Sequence, residues 1–178
     1  MNIQSAIIEG AKILKDKFVK APYLDSEILL SKVIKKDNSY LLINHNKKIK
    51  NKDFKFFIKL IEQRSEGKPI AYLTNRKFFW KFEFFVSNKT LIPRPDTELI
   101  VEQVLKLIKY KTKLNILDIG IGSGCILLSI LKERLNVYGT GIDISKNCLK
   151  ISKINAKYLN VEARLKLFKT NVDKFNFG

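Results

Sequence analysis

The stretch Leu114-Asn115-Ile116-Leu117-Asp118-Ile119-Gly120-Ile121-Gly122-Ser123-Gly124 decides how the second half of the chain folds. Its first six residues form a short apolar run, which is typical of a strand. Three closely spaced glycines follow, and they favour a turn in which a ligand can approach the backbone. The next segment, Cys125 to Leu135, has helical spacing. The stretch therefore predicts a strand, a ligand-binding loop and a helix, in that order.

The same alternation continues after this helix. Val137 to Ile142 predicts a second strand that ends at Asp143, and Ser145 is suited to cap a helix that reaches about Leu159. Arg164 to Phe168 predicts a third strand. A βαβαβ order implies a parallel sheet with right-handed crossovers, and such sheets bind ligands at the carboxyl ends of their strands. The sequence therefore predicts an α/β fold with Rossmann-like topology.

Asp118 indicates which ligand suits the loop. A dinucleotide fingerprint needs G-x-G-x-x-G, and Cys125 stands where the third glycine would be. A carboxylate beside a pyrophosphate is unfavourable, whereas a ligand with an ammonium and a sulfonium is attracted to it. Asp143 ends the next strand, where it can accept hydrogen bonds from ribose hydroxyls. These residues favour S-adenosylmethionine, and the alternative is that the two acids only cap helices or turns.

The first part of the chain has a different pattern. Residues 1–75 have helical spacing and predict a small helical bundle, a kind of domain that most often recognises or orients another molecule. Residues 76–97 predict a β-hairpin, with its turn at Trp80-Lys81, and then a proline-rich linker. A hairpin in the core is favoured over an aromatic platform for nucleic acid. Residues 98–178 are then the N-terminal part of the α/β domain.

The linker is expected to lead directly into a helix. Its two prolines fix an extended entry, and Asp96 or Thr97 is suited to cap a helix from Glu98 to Lys109.

The charge of the chain is strongly positive. It has 34 Lys and Arg against 17 Asp and Glu, a net charge of +17, but only five of the basic residues are Arg. Nucleic-acid sites favour Arg because its planar fork suits phosphates and bases. The Lys residues are also spread along the chain, so we interpret them as compositional drift. No direct, specific nucleic-acid binding is expected.

The remaining composition excludes several other classes. The apolar runs are short and broken by Lys, so no membrane-spanning helix is predicted. The N-terminus lacks the features of a secretory signal, and the two cysteines, Cys125 and Cys148, have no metal-ligand spacing. We expect a reduced, cytoplasmic protein without a metal site.

Two further stretches, taken with the loop, carry a resemblance to a known family. Glu62-Gln63-Arg64 with Gly67 to Leu73, and then Leu91-Ile92-Pro93-Arg94-Pro95-Asp96-Thr97-Glu98, resemble the domain linker and the signature of bacterial protein-(glutamine-N5) methyltransferases acting on peptide chain release factors. The similarity continues through residues 118–124 and 141–145 and covers essentially the whole chain. It implies a helical substrate-recognition domain followed by a methyltransferase domain that uses S-adenosylmethionine, with release factors as partners.

The resemblance also implies a cofactor site built from a loop and the ends of two strands. Asp143 is expected at the ribose. Asn171 is expected to hydrogen-bond the adenine amino group, with Val172 beside it offering less stacking surface than the bulky residue common in the family. The loop is expected at the methionine part of the cofactor, through Gly120, Ile121, Gly122, Ser123 and Gly124, and Asp118 joins the site through its charge, as argued above.

One departure from the family concerns the methyl acceptor. The family binds the glutamine amide with an Asn-Pro-Pro-Tyr motif at the end of a fourth strand, and the chain stops at Phe177-Gly178 without that motif. We therefore expect a fragment of a longer enzyme, with no catalytic residues of its own and no activity by itself. Two alternatives stay open: a methyltransferase acting on nucleic-acid amines, and a non-catalytic adaptor.

Overall fold

The computed structural model describes residues 1–108 and 113–176, and the chain divides into two compact units, residues 1–74 and 75–178. The first unit is helical, and the second contains a parallel sheet with helices. The predicted fold class, a helical N-terminal region followed by an α/β region, is therefore confirmed.

The first unit has five helices among its residues. Asn2 caps the first helix by accepting a hydrogen bond from the Ser5 N–H, Pro22 opens the second, and Asp37 caps the third. Fully buried Leu and Phe side chains fill the space between the helices. The helices are α1 (Ile3–Asp16), α2 (Pro22–Ile34), α3 (Asn38–Ile43), α4 (Asn51–Ser65) and α5 (Ile70–Thr74).

The stretch that resembles a domain linker is helical for most of its length. Arg64, near the end of α4, places its Nε 2.7 Å from a carboxylate oxygen of Asp25 in α2. The same guanidinium donates to the Lys68 carbonyl at 3.2 Å. Because Asp25 is largely buried, this pair fixes the end of α4 against α2.

The second unit contains two sheets. A two-stranded antiparallel hairpin comes first, and a three-stranded parallel sheet follows, with its strands side by side in chain order. A helix lies between each pair of successive parallel strands, as expected for βαβ units. The elements are β1 (Arg76–Phe79), β2 (Phe82–Phe85), α6 (Glu98–Leu107), β3 (Leu114–Ile119), α7 (Cys125–Glu133), β4 (Val137–Asp143), α8 (Lys146–Tyr158) and β5 (Leu165–Lys169).

The hairpin contributes directly to the core of the second unit. Phe79 and Phe84 are fully buried and pack edge to face, with ring centroids 6.1 Å apart. The turn residue Trp80 donates from Nε1 to Glu133 at the end of α7 at 2.8 Å, and Lys81 pairs with the same carboxylate. The hydrogen bond from Lys81 holds the pKa of Glu133 below its ordinary value. These contacts support the core hairpin over an exposed aromatic platform.

The predicted cap of α6 is wrong. Pro95–Thr97 forms a short 3-10 helix that runs straight into α6, so Thr97 has helical backbone angles and its side chain makes no capping hydrogen bond. The Glu98 carboxylate instead accepts a hydrogen bond from the Trp80 N–H at 2.9 Å. The helix ends at Leu107, and its predicted end at Lys109 lies outside the described residues.

Gly141 in β4 provides a test of how tightly the loop packs on the sheet. A Cβ at this position would overlap Ile121 Cδ1 and lie 3.0 Å from Leu167 Cδ2. We expect Gly141→Ala to lower the free energy of unfolding by about 1–3 kcal/mol because the core is overpacked. Ile121→Val removes the overlapping methyl and should recover part of that loss in the double variant, measured by urea unfolding. Purely additive effects would show that the two residues do not press on each other.

Candidate functional site

The loop between β3 and α7 takes a backbone conformation that needs glycine. Gly120 has φ +76° and no atom within 4 Å of the position a Cβ would occupy. Gly124 has φ +82°, and its Cβ would lie 2.7 Å from Leu128 Cδ1 in α7. L side chains rarely adopt these angles, so both positions favour glycine. The two glycines differ in what surrounds them. Gly120 leaves room beside the backbone, and Gly124 lets the loop pack closely on its helix.

Backbone hydrogen bonds hold this loop at the carboxyl end of β4. The N–H groups of Gly120 and Ile121 both donate to the Ile142 carbonyl, at 2.8 and 3.0 Å. The Gly124 N–H closes the turn by donating to the Ile121 carbonyl at 2.8 Å. The loop therefore lies at the sheet edge where parallel α/β folds bind their ligands.

Asp143 connects the loop to the start of α8. One carboxylate oxygen accepts from the Gly122 N–H at 3.0 Å, and the other accepts from the Ser145 N–H at 2.8 Å. The side chain is therefore a structural support for two turns, as the capping alternative expects. Each carboxylate oxygen has a second lone pair and can accept another hydrogen bond, so a ligand role is compatible with this geometry.

Asp118 is the second carboxylate at this loop. Burial raises the pKa of its carboxyl, the Leu127 N–H at the start of α7 opposes that rise, and the negative charge of Asp143 adds to it. The negative charge of Asp143 thus disfavours the charged form of Asp118 beside the glycine loop. A cationic ligand group close to Asp118 favours that charged form.

The structure extends this cluster toward residues that follow β5. The Thr170 N–H donates to the Asp143 carbonyl at 3.2 Å, which brings the end of β5 beside the end of β4. Asn171 is exposed, and its side-chain oxygen faces the Asp173 N–H at 3.5 Å, whereas Val172 is half-buried. Asp118, the glycine loop and Asp143 are therefore contiguous, and Asn171 and Val172 lie along the same edge.

Two polar residues of α8 support the loop and were not predicted from the sequence. Ser152 and Asn155 are completely buried and donate to the Gly122 and Ser123 carbonyls, at 2.8 and 2.9 Å. Their only sequence signal is that they fall on the buried face of α8, between Ile151 and Ala156. Burying a polar side chain on such a face is costly unless it is hydrogen-bonded. The hydrogen bonds to the loop therefore explain why polar residues are accommodated at these two positions.

The two cysteines offer no reactive thiolate. Burial raises the pKa of Cys125 to about 11, and burial also raises that of Cys148. Cys125 packs beside the core of the second unit, and Cys148 is buried. Among residues 1–108 and 113–176, no group of His, Cys, Asp and Glu side chains is arranged to hold a metal ion.

The fold and the loop together define a Rossmann-like α/β protein whose acidic glycine loop lies at the ligand-binding edge of its sheet. No helix in the described parts of the chain has both the length and the apolar character needed to cross a membrane.

Comparison with known proteins identifies the particular family that the chain resembles. Residues 5–74 match the family model of the PrmC N-terminal domain. The chain is 38% identical to the release factor glutamine methyltransferase of Clostridium acetobutylicum, a match that covers 94% of this chain and 59% of the relative. It is 42% identical to that of Buchnera aphidicola subsp. Acyrthosiphon pisum, covering 90% and 57%. The predicted resemblance to the release factor glutamine methyltransferases is confirmed.

The relatives are longer than the chain. The chain spans less than two thirds of the length of both release factor enzymes, and one third of a bifunctional methyltransferase of Rickettsia typhi, to which it is 35% identical over 86% of its own length.

Solved methyltransferase structures show a weaker, partial likeness. An RNA methyltransferase from Salinibacter ruber in complex with S-adenosyl-L-homocysteine is 23% identical, with a TM-score of 0.41, and covers 47% of this chain and 53% of its own. A coclaurine N-methyltransferase has a TM-score of 0.42 at 14% identity, covering 98% and 51%. Because these TM-scores are low, the fold is assigned from the order and direction of the strands and not from these structures.

The raised pKa of Asp118 makes a stability prediction with a definite sign. Below its unfolded value of 3.8 the group is protonated in both states and has no effect. As the pH rises from there through the folded-state pKa, ionisation destabilises the folded chain. We therefore expect Asp118→Asn to gain stability relative to the wild type as the pH rises above the ordinary aspartate value of 3.8, measured by urea unfolding. A difference that stays constant with pH would contradict a buried, charge-penalised Asp118.

Proposed function

We propose that this chain binds S-adenosylmethionine at the loop between β3 and α7. We further propose that the protein methylates the side-chain amide nitrogen of a glutamine in peptide chain release factors, acting in the cytoplasm. The observation that carries the proposal is the pair of carboxylates, Asp118 and Asp143, beside one glycine loop at the carboxyl edge of the sheet. The names and identities of the relatives support the choice of methyl acceptor.

The residues present fit this cofactor. The open space beside Gly120 admits a ligand close to the backbone. Asp118 supplies negative charge for the ammonium and sulfonium, and the Asp143 oxygens have lone pairs for the ribose hydroxyls. Asn171 and Val172 are assigned to the adenine, with Val172 as a modest apolar surface. When bound, the cofactor supplies an electrophilic methyl group.

The acceptor side of the reaction requires other groups. An amide nitrogen is a poor nucleophile because its lone pair is delocalised, so hydrogen-bond acceptors must orient its N–H groups for attack. In the family that task belongs to the Asn-Pro-Pro-Tyr motif, which does not occur in the 178 residues. We therefore assign cofactor binding to residues 75–178 and release-factor recognition to the helical unit. We propose that the chain by itself binds the cofactor without transferring its methyl group.

Calorimetry tests the cofactor assignment directly. We expect the 178-residue chain to bind S-adenosylmethionine, and Asp143→Ala to weaken binding by roughly 1–3 kcal/mol because ribose hydroxyls lose their acceptor. Glu162→Ala removes an equal but exposed charge from the same unit and serves as the control. Unchanged affinity in a folded Asp143→Ala variant would remove this residue from the site.

The methyl acceptor is tested with a longer protein that carries this chain followed by an Asn-Pro-Pro-Tyr motif. Incubated with S-adenosylmethionine and a release factor, it should add one methyl group to one glutamine, read by peptide mass spectrometry. The 178-residue chain serves as the matched negative control. Methylation of RNA or DNA bases instead, with the release factor unmodified, would favour the nucleic-acid alternative.

A further inference from the structure

Two carbonyl groups of the glycine loop are held by side chains of α8. Ser152 Oγ donates to the Gly122 carbonyl at 2.8 Å, and Asn155 Nδ2 donates to the Ser123 carbonyl at 2.9 Å. Both residues are completely buried. Two consecutive carbonyls of the loop are therefore directed toward α8.

Asn155 fixes its own position through a second set of hydrogen bonds. Its Oδ1 accepts from the Phe85 N–H at 2.7 Å, and its Nδ2 also donates to the Phe85 carbonyl at 3.0 Å. The amide pairs with the last residue of β2 much as a neighbouring strand does. Burying an amide without partners is costly, so this complete set of bonds makes a single side-chain position strongly favoured.

The direction of one carbonyl determines the direction of the next N–H group. The described peptide bonds are all trans, so the C=O and N–H of a peptide point in opposite directions. Because Ser152 draws the Gly122 carbonyl toward α8, the Ser123 N–H of the same peptide points away from α8. A fixed N–H in a glycine loop is a suitable donor for a carboxylate.

We infer that Ser152 and Asn155 are positioning residues that preset the Gly122–Ser123 peptide for the amino-acid end of S-adenosylmethionine. This inference rests on the proposed function, since it assumes that the loop binds this cofactor. Neither side chain touches the reacting atoms. They act by removing the need to order the loop when the ligand binds, which would otherwise reduce affinity.

The chain contains a matched control for Ser152. Ser129 in α7 is also completely buried, but its Oγ has no hydrogen-bond partner among the described residues. Ser129→Ala therefore removes a buried hydroxyl of the same size without releasing any loop carbonyl.

The test compares two ligands on the 178-residue chain by calorimetry. S-adenosylmethionine has the amino-acid end, whereas 5′-methylthioadenosine keeps the adenosine and lacks that end. We expect Ser152→Ala to weaken S-adenosylmethionine about fivefold, the worth of one neutral hydrogen bond, and to change 5′-methylthioadenosine by less than about twofold. Ser129→Ala should change neither. Asn155→Ser should show the same preference with a larger loss, and if it does not fold, Ser152→Ala alone decides.

The outcomes separate this inference from the proposed function. Wild-type chain that binds neither ligand would overturn the proposed function and this inference with it. If the wild-type chain binds and Ser152→Ala weakens both ligands equally, or weakens neither, the proposal of cofactor binding stands. Either result would show that Ser152 only supports the fold.

Discussion

The hydrogen bond from the Gly122 N–H to the Asp143 carboxylate is the contact on which the ligand-binding edge depends. The other oxygen of the Asp143 carboxylate accepts from the Ser145 N–H, so this one side chain joins the turn after β3 to the turn after β4. The start of α7 follows the first turn, and the start of α8 follows the second. Because α8 also carries Ser152, Gly122 is held at its N–H by a carboxylate and at its carbonyl by a hydroxyl.

This arrangement links stability to ligand choice. A second carboxylate, Asp118, lies partly buried at the same loop, where burial and the charge of Asp143 both raise its pKa. The unliganded protein therefore carries an electrostatic cost at this edge, which a neutral residue would avoid. A ligand that brings positive charge removes that cost on binding, whereas a pyrophosphate increases it. Residues that lower stability at one edge and suit one class of ligand are typical of functional sites.

The sequence predicts the elements near the loop well because their signals are local. The apolar run before Gly120 and the acid at Asp143 follow directly from strand patterns, and both lie where those patterns place them. Tertiary contacts are harder to predict from sequence patterns, because they join residues that are far apart in the chain. Asn155 looks like an ordinary helix residue until β2 and the loop are placed on either side of it. Thr97 resembles a helix cap by type, but the preceding 3-10 turn continues the helical backbone through it.

Binding of S-adenosylmethionine at the loop between β3 and α7 can be measured by NMR titration of the nitrogen-15-labelled chain. We expect saturable shifts of the backbone amides of Gly120, Gly122, Ser123 and Gly124, together with those of Asp143 and Ser145, while most amides of residues 5–74 stay unchanged. Saturation with the loop amides unmoved, and shifts confined to the helical unit, would contradict it.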